Sequence, residues 1–67
     1  MIDQTNTFPT DLKSARAAAG LTQQGMSDAL GIPKRNIEDW ETVKSAPPEW
    51  AQRLILDKLA QIAADKS

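Results

Sequence analysis

The chain has no cysteine, no histidine and no tyrosine. Without cysteine, neither a disulfide nor a thiolate metal site can staple a small fold. Without histidine, the usual general base and the commonest metal ligand are gone, and most covalent nucleophiles apart from Ser and Thr are missing too. Enzymatic activity is therefore not expected, nor is a metal or cofactor. Aromatic side chains are scarce, one Phe and two Trp. No apolar run reaches the ~18 residues of a membrane span, and the first residues carry neither a basic segment nor an apolar one of the signal type. No membrane partner is expected, and the expected location is cytoplasmic. Net charge is also slight, at −1 with a pI of about 5.1. That argues against a sequence-indifferent coat on nucleic acid.

What is present is the composition of a folded domain, 40% apolar and 25% charged over 67 residues. A chain of this size buries only about 60% of its unfolded surface, so its stability margin is thin. Residues 1–8 are polar and read as a flexible N-terminal tail, with Phe8 able to fold back onto the core. Residues 9–64 read as one all-α domain, a compact bundle of four helices, five at most. Thr10 is a plausible N-cap for the first helix, which carries Leu12, Ala15 and Ala19 at helical spacing and stops at Gly20. Thr22 caps a second, two-turn helix with Met26, Ala29 and Leu30 as its buried stripe and Gly31 as its stop. Pro33 suits the first position of a third helix with Ile37 and Trp40 inward. After a loop from Val43 to Pro47, Pro48 opens a long last helix over about 48–64.

The informative stretch is the helix-turn-helix unit over about 22–42. Gly31 and the start of the third helix are so close that the two helices must cross steeply, at roughly 90–120°. Gly31 tolerates the positive φ that such a turn needs. Ser27 is small where the helices approach, and Ile37 and Trp40 point back to lock the pair.

From about Leu12 to Leu59 the chain resembles the Cro/repressor-type helix-turn-helix regulators, the Xre family. The residues that carry the resemblance are Arg16, the run Gly20-Leu21-Thr22-Gln23, Ala29-Leu30-Gly31-Ile32, Ile37, Trp40-Glu41, and Pro47-Pro48-Glu49-Trp50. It implies a lambda-repressor-like bundle that binds operator DNA as a homodimer and controls transcription. It also implies an ion pair from Arg16 to Glu41 that fixes how the third helix is presented. The chain departs from the pattern at three places. Gly25 stands where Glu or Asp often closes a capping box. Thr42-Val43 replaces a polar residue followed by Gly, and Pro33 replaces a Ser or Thr.

The candidate DNA-contacting residues are Gln23, Gln24, Lys34, Arg35, Asn36, Asp39 and Lys44. Lys34, Arg35 and Asn36 fall in the first turn of the third helix, where a recognition helix meets the major groove. Cations there oppose the helix dipole at about 0.3–1 kcal/mol each, so folding alone does not select them. The alternative is a solvated face on which Lys34 pairs with Glu38 and Arg35 with Asp39. Asp39 either accepts from a cytosine amino group or orients Arg35. Gln23 and Gln24 open the second helix, where amides and free N–H groups suit a phosphate. The resemblance adds for Gln23 a brace onto the recognition helix. Lys44 is the next cation, in the loop that follows.

The last helix is apolar on too many sides for three short neighbours to cover. Ala51, Ile55, Leu59 and Ile62 form one stripe, Trp50 and Leu54 a second about 100° away, and Leu56 and Ala63 widen the first. Leu56, Leu59 and Ala63 are the candidates for a two-fold dimer interface. The expected function is sequence-specific binding of double-stranded DNA by a small prokaryotic or phage repressor. The other reading is a protein-interaction module, such as the antitoxin of a toxin–antitoxin pair, with DNA binding secondary.

Overall fold

Local chemistry sets where each helix begins and ends. The structure, a computed structural model, describes residues 7–66, and among these it has four α-helices and no strand: α1 (Phe8–Ala18), α2 (Gln23–Leu30), α3 (Lys34–Glu41) and α4 (Glu49–Lys66). Residues 1–6 of the expected tail lie outside the described residues. Residue 8 does not belong to that tail. Helix α1 starts about a turn before Thr10, with Thr7 as its N-cap and Pro9 in its first turn. The reason is Phe8, only 3% exposed. Burying that ring draws the chain before it into the helix, and proline is at home in a first turn. At the far end α4 continues two residues beyond Ala64.

Thr22 caps α2 through its side chain, accepting a 2.9 Å bond from the Gly25 N–H. The missing carboxylate at Gly25 leaves this as half a capping box. A Cβ at Gly25 would lie 3.3 Å from the Thr22 hydroxyl, close but tolerable, and the glycine has no left-handed φ to protect. Gly25→Ala is expected to stabilise the domain by about 0.5 kcal/mol, the smaller end of the helix-propensity gain. Thermal denaturation would show it as a raised Tm.

Three helices end the same way. After α1 the Leu21 N–H returns to the Arg16 carbonyl, after α2 the Ile32 N–H returns to Ser27, and after α3 the Lys44 N–H returns to Asp39. Each closure passes through a residue with left-handed φ, Gly20 at 71°, Gly31 at 70° and Val43 at 65°. The first two obey the usual preference of this C-terminal turn for glycine. Val43 does not. A β-branched side chain at positive φ is strained by about 1–2 kcal/mol, and Val43 is 71% exposed, so little packing offsets it. Val43→Gly should therefore raise stability by about 1 kcal/mol, even after glycine's larger unfolded-state entropy is subtracted. Urea denaturation at constant m would measure it; an unchanged midpoint would mean the turn is not strained.

Each helix sends one fully buried side chain to the centre: Leu12, Met26, Ile37 and Leu59. Phe8, Ala19 and Ile55 complete the core, and Trp40 meets Phe8 edge to face with ring centroids 6.2 Å apart. Helix α1 packs on both α3 and α4, while α2 rests on α3. Ala29, expected inward, is exposed, and Met26 carries the buried face of α2 with Leu30 half-buried beside it. A two-turn helix presents a single turn to its neighbour, and Met26 fills it.

The dimer candidates on α4 need correction. Leu59 is fully buried in the chain's own core, and Leu56 and Ala63 pack against that core as partly buried neighbours. The stripe left in solvent is the other one: Trp50 is 67% and Leu54 61% exposed.

Candidate nucleic-acid interface

The site begins with an ion pair that is not itself on the surface. Arg16, in the last turn of α1, donates from Nε to Glu41 Oε2 at 2.8 Å and from Nη2 to Glu41 Oε1 at 3.0 Å. This is the forked guanidinium–carboxylate geometry that fixes orientation as well as distance. A third donor, Nη1, reaches the Leu21 carbonyl at 3.1 Å. Because the Leu21 N–H already bonds the Arg16 carbonyl, the α1–α2 turn is tied to Arg16 from both sides. Gln23 Nε2 then donates to Glu41 Oε1 at 3.1 Å. One carboxylate at the end of α3 thus receives α1 through Arg16 and the start of α2 through Gln23.

Glu41 is 5% exposed. Burial pushes its pKa upward, but the bonds from Arg16 and Gln23 and the Arg16 charge outweigh that and hold it below the ordinary carboxylate value. The charged form is the one the fold supports.

With its inner side fixed by Ile37, Trp40 and Glu41, α3 turns its first turn outward. Lys34, Arg35 and Asn36 are all exposed, and Asp39, one turn on, is partly so. Lys34 Nζ lies 3.9 Å from Glu38 Oε2, both side chains about half exposed. That is a loose pair, and exposed pairs of this spacing contribute no more than about 0.5 kcal/mol. Among the described residues no ion pair engages Arg35, so the expected alternative pairing with Asp39 is not formed. Asp39 contributes its carbonyl to the end of α3, and Lys44 is exposed in the loop beyond. Gln24 turns aside to Asp28, at 3.1 Å on the exposed side of α2.

The structure therefore brings Lys34, Arg35 and Asn36 together on one exposed turn. It joins Gln23 to the ion pair and gives Gln24 a local partner. Sequence reasoning missed the Arg16 contact to the Leu21 carbonyl, for which the chain carries no side-chain signal. Among the described residues no cluster of acidic side chains is arranged to hold a metal ion, and no helix is long and apolar enough to cross a membrane. No protein-family model matches the sequence, and no curated protein or solved structure shows significant similarity to it.

Proposed function

We propose that this protein is a sequence-specific double-stranded DNA-binding regulator of the repressor type, with α2 and α3 as its helix-turn-helix and α3 in the major groove. The observation that carries this reading is the first turn of α3. It places Lys34, Arg35 and Asn36 in solvent at a helix N-terminus, where cations work against folding. Binding to an anion repays that cost, and Arg35, which no ion pair engages among the described residues, can fork its guanidinium onto a guanine. Gln23 sits at the N-terminus of α2, where it suits a backbone phosphate, and its bond to Glu41 would transmit that contact to the orientation of α3. Lys44, exposed in the loop after α3, is a further cation that can meet a backbone phosphate.

With a net charge of −1, sequence-indifferent affinity is weak, so a pair of subunits on two half-sites supplies the affinity. The test is selection from a randomised duplex pool, followed by a mobility shift with the recovered sequence. Recovery of a two-fold motif supports the reading. A pool that stays random through successive rounds overturns it, and the exposed Trp50 and Leu54 would then favour a protein-interaction module instead.

A further inference from the structure

We propose that Asp39 determines sequence specificity: its carboxylate accepts from the exocyclic amino group of a cytosine in the major groove, one or two base pairs from the guanine that Arg35 takes. This role deepens the DNA-binding reading by naming the bases that the middle of α3 selects, and it rests on that reading.

The direction of each side chain follows from what holds the other side of α3. Ile37 and Glu41 are buried and Trp40 is half-buried, so these three mark the inward side. At about 100° per residue, their mean direction lies opposite the gap between Arg35 and Asp39, which are only about 40° apart. Lys34 and Asn36 stand about 100° to either side of Arg35. Arg35 and Asp39 thus lead the helix into whatever surface it meets. The backbone of Asp39 is firmly anchored as well, since its carbonyl accepts from the Lys44 N–H at 2.9 Å in the turn that ends α3.

Lys34 takes up Glu38 at 3.9 Å, whereas among the described residues no hydrogen bond or ion pair engages the Asp39 carboxylate or the Arg35 guanidinium. Their base-then-acid order is the weaker orientation for a pair at this spacing. Folding therefore makes no use of the Asp39 carboxylate. An acid that faces a polyanion weakens binding to every sequence, and the loss is offset only where the acid meets a donor.

The major groove limits which donor that is. A carboxylate only accepts. Guanine offers two acceptors there, and thymine an acceptor and a methyl group. Adenine has an amino group but sets its N7 acceptor beside it, which repels the second carboxylate oxygen. Cytosine presents an amino donor with no acceptor of its own. Four residues advance about 6 Å along α3, against about 3.4 Å per base pair, so the cytosine falls one or two pairs from the guanine of Arg35. Asp39 thus works by exclusion as much as by attraction, because any other base leaves its carboxylate against acceptors. Rejection of wrong sequences suits a chain whose net charge of −1 already gives it little sequence-indifferent affinity.

Selection from a randomised duplex pool with the full chain, followed by anisotropy titration of the recovered duplex, tests this. The parent is expected to recover a C·G pair one or two pairs from a G·C pair. Selection with Asp39→Ala should flatten the first of these positions and keep the second, and Arg35→Ala should do the reverse. Replacing the cytosine by N4-methylcytosine blocks its groove-facing N–H while keeping the base pair. That duplex should bind the parent about tenfold more weakly and leave Asp39→Ala almost unmoved. Asp39→Ala should also bind a scrambled duplex more tightly than the parent, because a negative charge has left the face that meets phosphate. Its circular dichroism melt should be retained, and the methylated duplex tests the parent without any variant. An unchanged motif in Asp39→Ala overturns the proposal, as does methylation that harms parent and variant alike. Loss of the Arg35 position in Asp39→Ala also overturns it, by showing that Asp39 only orients Arg35. Each of these outcomes leaves the DNA-binding reading standing, whereas a pool that the parent leaves random removes both.

Discussion

Arg16→Ala should destabilise the domain by about 3 kcal/mol, because it leaves the Glu41 carboxylate buried without its cation. A domain of this size has about 3–10 kcal/mol in all, so the variant should lose about a third of its stability or more. Glu41→Ala removes the buried charge along with its partner's target and should cost somewhat less, since the freed guanidinium can reach water. A double-mutant cycle by urea denaturation should then show coupling of at least 1 kcal/mol. Additivity within about 0.3 kcal/mol would mean the forked pair contributes nothing jointly. Acid supplies an independent check. The pKa of Glu41 is lower in the folded chain than its ordinary 4.5. Its contribution is therefore complete above that value and is lost as pH falls through the lower folded pKa. In Arg16→Ala, burial without the guanidinium raises the Glu41 pKa instead. The stability gap between the two proteins should shrink in acid; a gap constant down to the acid limb would place the effect elsewhere.

Binding should respond in the opposite pattern when the first turn of α3 is changed. Arg35→Ala is expected to cost about 1–3 kcal/mol per half-site and to relax preference at one base pair. Lys34→Ala should weaken all sequences more evenly and flatten the salt dependence by about one unit for each phosphate no longer neutralised. Both together should lower affinity for a selected two-half-site duplex by more than a hundredfold. Folding should hold. Neither side chain enters the core, the Lys34–Glu38 pair is loose, and removing two cations from a helix N-terminus relieves the dipole. A double variant that binds the selected duplex as well as the parent would remove α3 from the groove. One that loses binding and melts earlier would show only damage to the fold.

Much of this architecture is legible in the sequence because its signals are local. Thr22 as a cap, Gly20 and Gly31 as left-handed stops and Pro48 ahead of the last helix each act within one turn of the chain. Helix boundaries inferred from them differ from the structure by only a residue or two there. The exception is the start of α1, where Phe8 enters the helix because of what it packs on rather than what precedes it. Val43 shows a further limit. Its exposure and β-branched shape argue against positive φ, and only the closure of α3 onto Asp39 reveals that it takes the place glycine holds after α1 and α2.

The candidate site divides along the same line. Residue type and spacing alone bring Lys34, Arg35 and Asn36 to one helical turn, since a period of 3.6 residues leaves them nowhere else to go. Periodicity likewise shows that the last helix has two apolar stripes about 100° apart, but it treats them alike. Which one turns inward depends on where α1 lies, and Phe8 and Leu12 of α1 reach the common core from far along the chain. Tertiary packing takes Leu59 into that core, leaves Leu54 outside, and so moves the free face of α4 from Leu56 and Ala63 to Trp50 and Leu54. The sequence by itself determined the helices and the chemistry on each of their faces. Only the tertiary structure decided which faces were left for another molecule, because burial is a property of the neighbours and not of the residue.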